Sequence, residues 1–178
     1  SDANIIADAT TGKVTATVAA GTAADLNAKL IDATAADALT LTVNGKTAAA
    51  TDLNDLNSKT SVDVKVDATE VTGEFTDLEA VYVTNKANFA NLGNETVKIT
   101  DATVTATQAN KIAGATTGKV TATVTADTAT NLITNLTNAA ATDVLTLTVN
   151  GATAAATDLN ALDGKTSVAV KVDATAVT

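Results

Sequence analysis

Aliphatic and polar residues alternate over short stretches that recur along the whole chain. In these stretches Val, Leu, Ile or Ala occupies every second position, and mostly Thr, Asp, Lys or Tyr lies between them. Such alternation predicts β-strands with one buried and one exposed face. The predicted strands cover residues 14–18, 39–43, 62–66, 81–83, 97–99, 120–124, 145–149 and 168–172.

Short amphipathic segments lie between several of these strands and predict helices. In residues 22–30, Thr22 is a suitable N-cap, and Leu26 and Leu30 are spaced to share one helix face. The predicted helices cover residues 22–30, 47–56, 128–136 and 153–163. Between residues 67 and 96 the spacing leaves room only for turns or a single helical turn.

The whole pattern repeats after 106 positions. Residues 3–72 align with residues 109–178 without a gap, and "GKVTATV" occurs at both 12–18 and 118–124. A fixed period is typical of repeat architectures. We therefore predict a single elongated repeat domain over residues 1–178, with one full unit (1–106) and a partial second unit (107–178). We interpret the chain as a window from a longer tandem array.

Strands and short helices alternating every 16–25 residues predict a β/α solenoid. In this fold a parallel β-sheet forms one wall, and short helices and turns form the other. We expect about eight coils, five in each 106-residue unit. The alternative is a tandem pair of immunoglobulin-like β-sandwiches, because such domains have a similar length. The absence of Pro and Trp and the Ala-rich segments favour the solenoid.

Composition narrows the chemistry that the chain can perform. Cys, His, Met, Trp, Pro and Arg are all absent. This excludes the usual zinc sites, thiol nucleophiles and Ser–His–Asp triads. We therefore predict no enzyme and no catalytic, cofactor-binding or metal-ligating residues. The net charge of −9, from 20 acidic residues and 11 lysines, disfavours nucleic-acid binding, and no apolar run is long enough to insert into a membrane.

Outward-facing Thr-x-Thr pairs are the most regular surface feature of the predicted strands. Stacked pairs of this kind resemble those of ice-binding solenoids, but Asp63, Lys65, Tyr82 and Lys98 interrupt the rows. The simpler, structural interpretation is that Thr is a favourable residue at solvent-facing strand positions. The predicted outward residues are Thr15, Thr17, Thr40, Thr42, Thr121, Thr123, Thr146 and Thr148.

The recurring "VDAT" motif, at 66–69 and 172–175, raises the question of calcium. Ca²⁺ takes six to eight oxygen ligands, and no dense calcium-loop motif is present. Asp and Thr at strand ends more often cap turns. We expect no cofactor, and weak calcium binding at coil edges stays open. Asn44-Gly45 and Asn150-Gly151 are predicted turns in which Gly takes positive φ.

The string "ATTGKVTATVTADTATNL…LTLTVNGATAAATDLNALDGKTSVAVKVDAT" resembles repeats of very large secreted bacterial surface proteins, including adhesin-like proteins exported by type I secretion. The resemblance implies an extracellular or cell-surface location and a structural role in a scaffold or filament. The expected partners are further copies of the chain, stacked end to end through uncapped terminal strands. The alternative is an adhesive module that binds cell-surface glycan or a partner surface through its Thr-rich sheet.

Overall fold

The computed structural model describes all residues, 1–178, and is a mixed α/β structure with seven α-helices and short parallel strands. The chain forms two compact units, Ser1–Glu95 and Thr96–Thr178. None of the helices has the length and apolar character needed to cross a membrane.

The first unit contains four α-helices and seven strands. They are α1 (Asp2–Ala9), β1 (Thr15–Thr17), α2 (Ala23–Lys29), β2 (Ala38–Thr40), β3 (Thr42–Val43), β4 (Thr47–Ala49), α3 (Ala50–Asn57), β5 (Val64–Val66), β6 (Glu70–Gly73), α4 (Phe75–Glu79) and β7 (Phe89–Ala90). A π-helical turn (Ala80–Thr84) and a 3₁₀ turn (Lys86–Asn88) connect α4 to β7.

The second unit repeats much of this order. It contains β8 (Thr96–Ile99), α5 (Ala106–Ala113), β9 (Val120–Thr123), α6 (Ala129–Asn135), β10 (Val144–Thr146), β11 (Thr148–Val149), β12 (Thr153–Ala154), α7 (Ala156–Asp163), β13 (Lys171–Val172) and β14 (Ala176–Val177).

Strand pairing follows one rule in both units. In the first unit β1 pairs with β2, β3 with β5, β5 with β7 and β4 with β6. In the second, β8 pairs with β9, β9 with β10, β11 with β13 and β12 with β14. All are parallel, and paired residues lie 23 positions apart, or 25 for β5 and β7. Immunoglobulin-like sandwiches consist of antiparallel sheets, so that alternative is wrong.

The alternating pattern places aliphatic side chains in the interior, as predicted. Leu39, Leu41 and Val43 are buried, whereas Thr40 between them is exposed. The equivalent Leu145, Leu147 and Val149 are also buried. Burial of these rows provides the main apolar stabilisation of the sheets.

The two predicted Thr N-caps are confirmed. The Thr22 hydroxyl accepts a hydrogen bond from the Asp25 N–H at 3.2 Å and begins α2. Thr128 does the same for α6 through the Asn131 N–H at 3.3 Å. Each bond satisfies one of the backbone donors left free in the first helical turn. The predicted turns are also confirmed, because Gly45 and Gly151 both have φ of 108°.

The predicted strand at residues 81–83 is wrong, because this segment is helical. Phe75, Leu78 and Tyr82 have the spacing of one helix face, and all three are buried. The helical period therefore continues from α4 through the π-helical turn and places Tyr82 inside rather than outside. Val83, predicted to be buried with Val81, is exposed.

The predicted helices at 47–56 and 153–163 begin too early. Thr47–Ala49 is a strand that pairs with Glu70, Val71 and Thr72, and α3 starts only at Ala50. Ala48 is buried by this pairing, so tertiary packing overrides the helix preference of the Ala run. The same holds for Thr153–Ala154 in the second unit.

Candidate functional site

The exposed Thr residues form short pairs rather than long rows. Thr17 lies opposite Thr40, and both are exposed. Thr123 lies opposite Thr146 in the same way in the second unit. Each of these strand pairs therefore presents two adjacent hydroxyl groups on the surface. Thr42, Thr121 and Thr148 are half-buried, and each has Lys as a cross-strand neighbour.

A buried carboxylate joins two successive strands in the first unit. The Asp37 side chain accepts hydrogen bonds from the Val14 N–H at 2.8 Å and from the Thr34 N–H at 2.8 Å. These backbone donors hold the pKa of Asp37 below its usual range, because they stabilise the charged form. Asp37 therefore acts as a structural acceptor at the start of β2.

A buried hydroxyl continues this polar connection to the next strand. Thr60 Oγ1 donates to the Leu39 carbonyl at 2.8 Å and accepts from the Leu39 N–H at 3.0 Å. It also accepts from the Val62 N–H at 3.1 Å. The hydroxyl thus takes the place that the backbone of a neighbouring strand would occupy beside Leu39.

The second unit builds the same arrangement from the same sequence positions. Asp143 accepts from the Val120 N–H at 2.8 Å and from the Ala140 N–H at 2.9 Å. Thr166 accepts from the Leu145 N–H at 3.0 Å. These four Asp and Thr residues were not singled out from the sequence, and their burial identifies them as structural rather than ligand-binding.

Tyr82 and Glu95 form a second buried polar cluster. The Tyr82 hydroxyl donates to Glu95 Oε1, and the same carboxylate accepts from the Gly93 N–H at 3.0 Å. Burial, together with this hydrogen bond, raises the pKa of Tyr82 far above its usual range. The phenol therefore stays protonated in the folded protein and is not poised for acid–base chemistry near neutrality.

The first "VDAT" motif borders an open recess of about 440 Å³, lined in part by Asp67, Thr69, Asn91 and Glu95. The Asp67 carboxylate contacts Lys65 Nζ at 2.7 Å and Asn91 Nδ2 at 2.9 Å. The Lys65 hydrogen bond, followed by that from Asn91, lowers the pKa of Asp67. No group of three acidic residues in the structure is placed to hold a metal ion.

The first helix leaves an apolar surface exposed. Ile5 and Ile6 of α1 are 68% and 54% exposed. Beside Ile6, an open groove of about 400 Å³ runs along Ala16 and Val18. The residue equivalent to Ile6 in the second copy, Ile112, is fully buried.

Helix α7 and the segment around β13 expose a second, partly apolar surface, defined here as the C-terminal face. In the first copy the equivalent residues Ala50, Leu53, Val64 and Val66 are all buried. In the second copy Val172 is 39% exposed, Ala156 is exposed, and Leu159 and Val170 are half-buried. The C-terminal face consists of Ala156, Leu159, Asn160, Val170, Val172 and Asp173.

Comparison with known protein families, with curated proteins and with solved structures finds no match.

Proposed function

We propose that the chain is a β/α solenoid segment that serves as a structural scaffold in an extracellular repetitive surface protein or filament. The short and nearly constant pairing offset is the observation that carries this proposal. Within each unit, residues that pair across neighbouring strands lie 23 positions apart, or 25 for β5 and β7. A short, regular offset is the geometry expected when each coil stacks on the one before it.

Helix packing supports the same proposal. In the first unit α2 contacts α3, and α3 contacts α4. In the second unit α5 contacts α6, and α6 contacts α7. From α2 to α4 and from α5 to α7, each helix thus packs against the next one in the chain, which is the nearest-neighbour arrangement of repeat proteins.

The exposed apolar surfaces at α1 and at the C-terminal face support self-association. Exposed contiguous apolar surface commonly marks an interaction site. Two different surfaces that meet head to tail do not close, and such contacts generate filaments. The extracellular location rests on the resemblance of the sequence to repeats of secreted bacterial surface proteins.

The test is sedimentation of the chain over a concentration series, with Ile6→Lys as the disrupting variant. Val83→Lys is the matched control, because Val83 is 43% exposed and lies in the π-helical turn that packs against α3 and α4. We expect association of the parent and of Val83→Lys, and weaker association of Ile6→Lys. A parent chain that stays monomeric at about 1 mM would contradict self-association through this segment.

The in-register Thr pairs favour a second candidate, an adhesive module that binds glycan. Thr17 and Thr40 present adjacent hydroxyls on an exposed strand surface. Glycan-array binding by the parent, lost on combined Thr17→Val and Thr40→Val substitution, would support it. Binding that the double substitution leaves unchanged would place any glycan contact elsewhere.

A further inference from the structure

The two Asn-Gly turns carry a pair of reactive groups that the scaffold function does not use. Asn44-Gly45 follows β3, and Asn150-Gly151 follows β11 at the equivalent position of the second copy. All four residues are exposed, and both glycines have φ of 108°. A side chain is strained at this angle, so the turn requires Gly after the Asn. The fold therefore keeps an Asn and a Gly side by side on the surface at both places.

The groups that can react with each other are free in both turns. The Asn44 side chain has no hydrogen-bond partner, and the Gly45 N–H donates to no acceptor. The same holds for the Asn150 side chain and the Gly151 N–H. A Cβ placed on Gly45 would meet a single atom, Thr22 Cγ2 at 3.6 Å, so little packs around this step of the chain. Neither reacting group has to break a contact first.

A third Asn that precedes a small residue is held differently. Asn57 is the last residue of α3 and is followed by Ser58. The Ser58 N–H donates to the Asn54 and Asp55 carbonyls at 3.2 and 3.1 Å. This nitrogen has to give up both bonds before it can react, whereas the Gly45 nitrogen gives up none. Asn57 is therefore a control within the same chain.

We propose that Asn44 and Asn150 deamidate spontaneously in the folded protein, with hydroxide as the base and water as the co-reactant. The Gly45 nitrogen loses its proton and attacks Asn44 Cγ. The Cγ–Nδ2 bond breaks, the side-chain nitrogen takes up a proton and leaves as ammonia, and a succinimide ring remains. Water then opens the ring at either carbonyl and gives Asp or isoaspartate. The sum of these steps is hydrolysis of one amide, without oxidation or reduction.

The two products differ in their effect on the packing of neighbouring coils. The Asp67 N–H donates to the Val43 carbonyl at 2.8 Å, on one side of the Asn-Gly step. The Glu70 N–H donates to the Lys46 carbonyl at 3.0 Å, on the other side. The Asp product adds a negative charge and leaves the backbone unchanged. Isoaspartate lengthens the main chain by one methylene between the two carbonyls, so both hydrogen bonds cannot keep their geometry.

The second copy couples its turn to the next strand in the same way. The Asp173 N–H donates to the Val149 carbonyl at 2.7 Å, and the Ala176 N–H donates to the Ala152 carbonyl at 3.1 Å. Isoaspartate at position 150 should therefore weaken this contact as well. The proposal goes beyond the scaffold function and does not depend on it. It assigns to each copy one place where ageing adds charge and loosens the stacking of coils.

The test is peptide mapping by mass spectrometry of the full chain aged in mildly alkaline buffer, beside a sample aged in urea. We expect Asn44 and Asn150 of the folded chain to react within about tenfold of their rates in urea, a difference of about 1.4 kcal/mol in the barrier. Folding should slow Asn57 at least about tenfold more than it slows the two turns. Turns that folding slows as strongly as Asn57 would overturn the proposal. Undiminished ammonia release from a chain with both Asn44→Gln and Asn150→Gln would also overturn it, since Gln forms the larger ring far more slowly.

The effect on packing is tested separately, in an Asn150→Gln chain in which only the first turn reacts. Asn44→Asp in this chain reproduces the Asp product, and the isoaspartate form is isolated from the aged protein by chromatography. We expect the isoaspartate form to unfold at a lower urea concentration than Asn44→Asp, because only isoaspartate alters the backbone. Equal urea midpoints for the two forms would refute the coupling between the turn and the stacking of coils.

Discussion

The Thr60 hydroxyl should contribute more to stability than any exposed Thr of the chain. Replacing it with Val keeps the side-chain volume but removes hydrogen bonds to the Leu39 carbonyl, the Leu39 N–H and the Val62 N–H. A buried backbone group left without a partner costs about 1–3 kcal/mol. Because Leu39 is almost fully buried and Val62 is partly exposed, we expect Thr60→Val to lower the free energy of unfolding by about 2–4 kcal/mol.

Urea denaturation followed by far-UV circular dichroism measures this loss directly. Thr166→Val should cost a similar amount, since Thr166 makes the same bonds to Leu145 at 2.8 and 3.0 Å. Thr40→Val, at an exposed strand position, should change stability by no more than about 0.5 kcal/mol. Thr60→Ser keeps the hydroxyl and should be less damaging than Thr60→Val. If Thr60→Val unfolded at the same urea concentration as Thr40→Val, the structural role of the hydroxyl would be refuted.

Three further predictions concern burial and ionisation. Val64→Asp should lower the free energy of unfolding by several kcal/mol because it buries a carboxylate. Val170→Asp, at the half-exposed equivalent position, should lower it much less. Equal losses in urea denaturation would contradict the difference in burial. Because Tyr82 is the only Tyr and Trp is absent, absorbance at 295 nm reports Tyr82 alone. Because the pKa of Tyr82 is raised in the folded protein, the protonated phenol stabilises the fold below about pH 10, and this stabilisation is lost as the pH rises further. Phenolate absorbance should therefore appear only when the protein unfolds. Titration of the native protein near pH 10 would be inconsistent with a buried Tyr82. Because the pKa of Asp37 is lowered in the folded protein, its charged carboxylate stabilises the fold above about pH 4, and this stabilisation is lost as the pH falls below that value. The urea midpoint of the parent should therefore drop between pH 5 and pH 3 by more than that of Asp37→Asn.

Much of the fold was accessible from the sequence because its determinants are local. Alternation around Leu39 and Leu145 determines which side chains enter the core. Thr22 and Thr128 mark helix starts because their hydroxyls accept hydrogen bonds from N–H groups of the first helical turn. Helix α5 is not among the predicted helices, although its sequence carries an N-terminal capping motif. Thr105 and Gln108 form a capping box, and that spacing is visible in the letters.

The buried polar residues were not accessible in the same way. Asp37 and Thr60 have the same letters as many exposed residues in a chain rich in Asp and Thr. Their roles depend on backbone groups 21 to 23 positions away, which only the register between strands brings close. Tyr82 illustrates the opposite case. Its spacing from Phe75 and Leu78 fits one face of a helix, whereas the alternation of three residues at 81–83 predicts a strand.

The exposure of the α1 surface and of the C-terminal face could not be predicted from the sequence, because the two copies share much of the same residue pattern. Val66 and Val172 lie within the shared string "VKVDAT", yet one is buried and the other exposed. Exposure here depends on which segment packs beside the strand, and that information lies outside the strand itself. Equivalent positions of the two copies therefore differ in burial although they carry the same residue.

The short, constant spacing between paired residues has a consequence for folding kinetics. Each strand pair closes a loop of only 23 or 25 residues, so the entropy lost in forming one pair does not grow as further pairs are added. Folding rates fall as contacting residues become more distant along the chain, and parallel sheets are usually slow for this reason. Here the first pair can form anywhere, and each later one needs only its immediate neighbour. A chain with more copies should therefore nucleate at more places and fold no more slowly than this one.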